Sequence, residues 1–146
     1  MSVDRDTPAY VLEDQVGFIL RQANQRHRAI FSEGVDQGIL PAQFVALAKL
    51  HANGPMSQNH LGRATAMDAA TIKGVVDRLQ EQRNVTTRRH PDDARRLLVE
   101  LTTRGRLHVE RLIPLAHAIT EQTLDPLDPK ERTTLLHLLE KITSRS

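Results

Sequence analysis

The stretch from Ser57 to Arg106, SQNHLGRATAMDAATIKGVVDRLQEQRNVTTRRHPDDARRLLVELTTRGR, restricts the possible folds more than any other part of the chain. Ser57 is a good helix N-cap, since a hydroxyl can accept one of the backbone N–H groups that a first helical turn leaves unpaired. Leu61 and Ala64 follow at helical spacing, so a short helix is expected there. Asp68 caps a second helix whose Ile72, Val75, Val76 and Leu79 fall on one side, and Thr65 to Met67 leave only a tight turn between the two. After Asn84 the period changes. Val85-Thr86-Thr87-Arg88 is rich in β-branched residues, His90-Pro91-Asp92-Asp93 is turn material, and Leu97 to Leu101 returns as a strand. Two short helices, a tight turn and a basic hairpin predict a winged helix-turn-helix. That shape places one helix in the major groove of DNA and the hairpin along its flank.

Flanking segments read as longer helices. From about Ala9 to Ser32, apolar residues recur at Leu12, Val16, Ile19, Ala23 and Ile30, with Leu20 and Phe31 widening the stripe, until Gly34 and Gly38 break it. A second helix opens at Leu40-Pro41 and runs through Phe44, Leu47, Ala48 and Leu50 to Asn53-Gly54-Pro55. Thr102 or Thr103 caps a fifth helix through Leu107, Leu112, Leu115 and Ile119, with a kink expected at Pro114. Leu124-Asp125-Pro126 ends it. The last helix starts at Asp128-Pro129-Lys130-Glu131 and carries Leu135, Leu136, Leu138, Leu139 and Ile142. The first and last helices hold more apolar surface than one small head can cover, which predicts a symmetric homodimer. The expected organisation is mainly α and a single domain over 1–146, with dimerisation helices at about 9–34 and 103–146 and a DNA-binding lobe at about 40–102.

Composition removes several alternatives. A chain of 146 residues supports one domain with a real core. Absence of cysteine excludes disulfides, thiol catalysis and Cys-based zinc sites. The N-terminus, MSVDRDTPAY, is polar and acidic, so no signal peptide is expected, and no apolar run approaches a membrane span. The expected location is the cytoplasm. Net charge is only +2, but Arg83, Arg88, Arg89, Arg95, Arg96, Arg104 and Arg106 crowd one segment while Asp4, Asp6, Glu13 and Asp14 crowd the first turns. The field is uneven rather than generally cationic. A solvated arginine-rich hairpin would have the same composition, and only the neighbouring helices favour DNA. No phosphate loop, paired-carboxylate setting or nucleophile motif is present, so no enzyme is expected.

Small residues at the start of the fourth helix, Ala69, Ala70 and Thr71, let it approach DNA closely and touch thymine methyls, with Gly74 on the same exposed side. Lys73 and Arg78 are placed to reach bases or phosphates, although Arg78 can equally pair with Asp77 or Glu81. Ser57, Gln58 and Asn59 offer hydroxyl, amide and backbone N–H groups to phosphate, and Ser57 can serve simply as a cap. Arg88 adds a cation on the first strand of the hairpin.

Four segments together carry a resemblance. They are Pro41-Ala42-Gln43-Phe44, Asp68 through Leu79, His90-Pro91-Asp92-Asp93-Ala94-Arg95 with Leu101-Thr102-Thr103-Arg104-Gly105, and Leu127-Asp128-Pro129-Lys130-Glu131-Arg132. Nearly the whole chain resembles the MarR family of bacterial winged-helix regulators. The resemblance implies a repressor that binds a palindromic operator as a homodimer. It further implies that Arg95 enters the minor groove with Asp93 fixing its aim, against a plain Asp–Arg pair inside the hairpin. Three positions depart from the pattern. His90 stands where the family usually has Asp, Arg83 where Gly usually ends the recognition helix, and Leu40 where Thr usually caps the second helix. Leu12 to His27 further resembles members that control breakdown of aromatic or nicotinate-type acids.

An effector of that class, a small aromatic or heteroaromatic carboxylic acid, needs a cation for its carboxylate and a flat wall for its ring. Phe18, Arg21, Gln22, Gln25, His27 and His51 are the candidates, at the meeting of the first helix, the second and the head; core packing for Phe18 and surface pairing for Arg21 are the simpler readings. The seven histidines show no HxxxH or HxH spacing, so neither a metal nor a cofactor is expected. The remaining alternatives are a DNA-binding or architectural protein without an organic ligand, and a metal-responsive regulator.

Overall fold

The structure, a computed structural model, describes residues 7–35 and 38–143; the acidic Asp4 and Asp6 lie outside them. Six α-helices and one two-stranded antiparallel sheet follow in the order α1 (Val16–Gly34), α2 (Pro41–Asn53), α3 (Gln58–Ala64), α4 (Ala69–Glu81), β1 (Val85–His90), β2 (Asp93–Leu101), α5 (Thr103–Thr123) and α6 (Pro129–Thr143). The expected winged helix-turn-helix is present.

Helix ends follow their caps. Ser57 Oγ accepts the His60 N–H at 3.2 Å and Asp68 Oδ1 accepts that of Thr71 at 2.7 Å. Thr102 Oγ1 accepts the Gly105 N–H at 3.0 Å. Leu40 has no side chain able to cap α2, yet Gln43 Oε1 accepts the Leu40 N–H at 3.0 Å, so the returning half of a capping box survives. Helices α3 and α4 both end in Schellman turns. Met67 N–H bonds Gly62 O at 2.8 Å with Ala66 at φ 57°, and Asn84 N–H bonds Leu79 O at 2.9 Å with Arg83 at φ 62°. Arg83 thus adopts the left-handed conformation at the position where the resemblance implies glycine, at a steric cost glycine avoids.

The first helix is shorter than its apolar period predicts. Leu12–Asp14 form one 3-10 turn and Gln15 is extended, with φ −88° and ψ 135°, before α1 begins at Val16. Gln15 Nε2 donates to Val11 O at 3.0 Å, and Val11 and Leu12 lie exposed, so nothing in the single chain draws this turn into a longer helix. Gly34 closes α1, as the sequence predicts. A Cβ there would lie 3.1 Å from Ile119 Cγ1, so glycine sets how closely α1 approaches α5. Helix α5 runs unbroken through Pro114. The wing is longer and tighter than expected, with His90 opposite Asp93, a register shift between Arg89 and His90, and only Pro91 and Asp92 at the tip. Met56 adds a bridge to Val99, exchanging N–H···O bonds of 3.1 and 2.7 Å, and ties the segment before α3 to the sheet.

The core is centred on the head and continues onto α5 and the end of α1. Leu47, Leu61, Ile72, Val76, Leu79, Val99 and Val109 are fully buried, each aliphatic side chain contributing about 1.5–3 kcal/mol of transfer free energy. By contrast α6 has no buried residue, and α1 buries only Phe31.

Candidate DNA interface and ligand cavity

Helix α4 divides cleanly into two faces. Ile72, Val75, Val76 and Leu79 pack into the core, while Ala69, Ala70, Thr71, Lys73, Gly74, Asp77 and Arg78 are exposed. A Cβ built on Gly74 would meet nothing within 4 Å, so packing within the chain does not require glycine there. Lys73 Nζ is 2.8 Å from Asp77 Oδ2, a pair one turn apart on the surface and worth only about 0.3–0.5 kcal/mol. Asp77 is engaged by Lys73, and among the described residues no ion pair joins Arg78 to Asp77 or Glu81; the Arg78 side chain is exposed. The Thr71 N–H, by donating to Asp68, holds that carboxyl below the ordinary carboxylate value and keeps the cap ionised. Gln58 is half-buried and Asn59 exposed at the start of α3, beside the capping Ser57.

The wing carries its cations in three ways. Arg88 Nε lies 2.8 Å from Glu100 Oε2 across the two strands. Arg89 donates to the Ala94 carbonyl and braces the hairpin. Asp93 Oδ1 accepts from Arg95 N–H at 3.0 Å and from Arg95 Nε at 3.4 Å, yet the Arg95 side chain stays 93% exposed. The pair inside the hairpin and a guanidinium aimed outward therefore coexist. His90 Nδ1 accepts the Asp92 N–H at 3.0 Å, supplying the turn bond that a carboxylate would make.

A cavity of about 840 Å³ opens between α1 and the start of α2. Arg21, Asn24, Gln25, Arg28 and Ser32 give it a polar wall from α1, and Phe31, Val35, Ile39, Leu40 and Pro41 give an apolar one. Of the sequence candidates only Arg21 and Gln25 reach it. Phe18 is half-buried and Gln22 exposed, both outside its lining. His27 and Arg21 are six residues apart, which turns them about 120° from each other around the helix. His27 Nδ1 accordingly meets Thr123 Oγ1 at 2.9 Å on α5, beside Arg26 Nη2, which donates to Gln122 O at 3.0 Å. His51 Nε2 lies 3.5 Å from Glu110. Within one chain these candidates do not converge. Arg28 and Ser32 were missed, although their spacing of seven and eleven from Arg21 puts them on its face. Among the described residues no three His, Asp or Glu converge as a metal site.

A core-facing second helix, an outward recognition helix and a two-stranded wing define a winged helix-turn-helix regulator. Comparison with known proteins makes this specific. A MarR family model matches residues 37–96. The transcriptional repressor NicR of Pseudomonas putida is 41% identical over 142 residues, spanning 97% of this chain and 90% of that protein. A probable transcriptional regulator from Pseudomonas aeruginosa, known by crystal structure, is 51% identical and superposes with a TM-score of 0.86 over 90% of this chain and 99% of its own. BpsR of Bordetella bronchiseptica, whose DNA binding is regulated by 6-hydroxynicotinic acid, is 39% identical, with a TM-score of 0.89 over 95% of this chain and all of its own. The chain belongs to the MarR family, whose members are DNA-binding transcriptional regulators and not enzymes. No helix among the described residues is long and apolar enough to cross a membrane.

Proposed function

We propose that this protein is a homodimeric cytoplasmic repressor that leaves its palindromic operator when a nicotinate-type acid binds. Helices α1, α5 and α6 form the dimerisation region and residues 40–102 the DNA-binding lobe. Ala69, Ala70, Thr71, Lys73, Gly74 and Arg78 meet the major groove, and Ser57, Gln58 and Asn59 meet phosphates. Arg88 stays near the backbone through its Glu100 partner, and Arg95, steered by Asp93, enters the minor groove.

The observation that carries this reading is the exposed guanidinium of Arg95, oriented by Asp93 at the tip of a hairpin beside an outward helix of small residues. The effector reading rests on the cavity, where Arg21 and Arg28 present two cations to a carboxylate above an apolar floor. A volume of about 840 Å³ falls within the usual range for small-molecule sites. Phe18, Gln22, His27 and His51 then act at a distance from the ring, or complete the site from the second subunit. A ligand lowers DNA affinity only by binding better to a form whose heads are mis-spaced.

The test is titration of 6-hydroxynicotinic acid, nicotinic acid and hydroxybenzoates by calorimetry, with and without an operator selected from random duplexes. Coupling of about 1–3 kcal/mol, equivalent to a 5- to 150-fold loss of operator affinity, is expected for at least one acid, and operator must weaken acid binding equally. Intact operator binding with no response to any of these acids would overturn the effector class.

A further inference from the structure

The end of the recognition helix is fastened to α5 at two levels. At the first, Thr102 N–H donates to Asn84 O at 3.1 Å and Thr102 Oγ1 donates to Arg83 O at 2.7 Å. Gly105 lies against the same carbonyl so closely that any Cβ would overlap the Asn84 oxygen. These contacts fix the distance between α4 and α5, but contacts clustered at one point leave a hinge. The second level lies one turn further along α5. Asn84 Nδ2 donates to His108 Nδ1 at 3.3 Å, and more weakly to Gln82 Oε1 at 3.4 Å. Attachments at Gly105 and His108 are about 4.5 Å apart along the helix axis, enough to turn a hinge into a bracket.

Several features mark this bracket as more than packing. Asn84 is only 2% exposed, yet its Oδ1 finds no partner among the described residues, and neither does the buried His108 Nε2. A stabilising polar node is normally fully satisfied. Burial, then the positive charges of Arg111 and Arg104, hold the imidazole below its ordinary pKa and therefore neutral, which leaves Nδ1 free to accept. The groups that the α4–β1 junction presents to it, Gln82 and Asn84, are uncharged.

We infer that the Asn84–His108 hydrogen bond is the positioning contact by which α5 fixes the direction of the recognition helix and wing, and hence the spacing of two heads. Neither residue touches DNA. This inference rests on the dimeric-repressor reading above, and it assigns the part of the molecule through which a change among the flanking helices reaches the head.

The test uses full-length protein and a palindrome that the wild type selects from random duplexes, measured intact and with one base pair inserted between half-sites. His108→Phe keeps a ring but cannot accept, and Asn84→Ala removes the donor and serves if the first variant does not fold. Each is expected to bind the intact operator about tenfold more weakly, the scale of one net hydrogen bond, and to lose at least half of the discrimination against the inserted site. His108→Gln, whose amide oxygen can accept from Asn84, is expected to restore discrimination. Variants that keep wild-type affinity and discrimination would overturn the inference, as would a glutamine variant no better than phenylalanine. A wild type that selects no palindrome, or is indifferent to the insertion, would instead overturn the dimeric reading and the bracket with it.

Discussion

The head and the flanking helices solve the problem of apolar surface in opposite ways. In the head, α2, α3, α4, the start of β1 and the middle of β2 turn Leu47, Leu61, Ile72, Leu79, Val85 and Val99 onto one another until each is fully or nearly buried. In the flanks, Val16 remains 65% exposed, Ile142 63% and Leu136 54%. Both regions are amphipathic helices with similar residues. The head closes on itself because a helix-turn-helix and a hairpin bring four faces to one point within a short stretch of chain. Helix α1 meets α5 and the head along one side only and α6 buries no residue, so the apolar face that each leaves exposed needs a surface from outside the chain.

That contrast is sharpest at two glycines. At Gly105, where any Cβ would overlap the Asn84 carbonyl, Gly105→Ala is expected to destabilise the protein by about 3 kcal/mol or more, read from urea unfolding. Gly74, exposed on α4 with open space around it, should behave oppositely. Gly74→Ala is expected to gain about 0.5–1 kcal/mol of stability while weakening operator binding, because its lack of a side chain serves close approach to DNA. Equal effects at the two sites would remove the distinction between a core built for folding and a face built for a partner.

Arg95 tests the outward face alone. Arg95→Ala is expected to cost about 1–3 kcal/mol of operator affinity and to change stability by less than about 0.5 kcal/mol. A folded variant with unchanged operator affinity would leave the wing as a braced hairpin and nothing more.

Acid provides the smallest and most local probe. Asp68 has a lowered pKa in the folded state, so its capping contribution is present above its unfolded value of 3.8 and is lost as pH falls through the folded one. His108 is also lowered, by burial and then by Arg111 and Arg104. The stability tied to its neutral form is present above 6.5 and is lost as pH falls below that. Urea midpoints between pH 7.5 and about 5 should therefore fall further for wild type than for His108→Gln, while Asp68→Asn should lower the midpoint at neutral pH, with its gap to wild type closing as pH falls below 3.8. A wild-type and glutamine profile that run parallel would place no folding-linked proton on His108.

How much was legible in the sequence divides along the same line. The caps Ser57, Asp68 and Thr102 and the switch of period after Asn84 are local signals, so the head emerged element by element. The Met56–Val99 bridge did not, because one pair of residues has no period to read. Apolar spacing extended the first helix to Ala9, but spacing measures the availability of a face and not the presence of something to cover it. The cavity was half legible. Arg21 and Gln25 follow from chemistry, whereas His27 and His51 share that chemistry only by residue type and by an expected junction of the first two helices, and the helix turn sends His27 to Thr123 while His51 turns to Glu110. Asn84 and His108 are 24 residues apart and neither stands out by composition, so their contact appears only in the folded chain.

The central claim is that the uncovered faces of α1 and α6 belong to a second copy that carries the second head. Light scattering at micromolar concentration tests it most directly. The expected mass is twice the 16.4 kDa of the chain, falling to a single chain when Ile19→Asp and Ile142→Asp are combined. A wild-type protein that scatters as one chain of 16.4 kDa would contradict the dimer interface and the two-headed docking that depends on it.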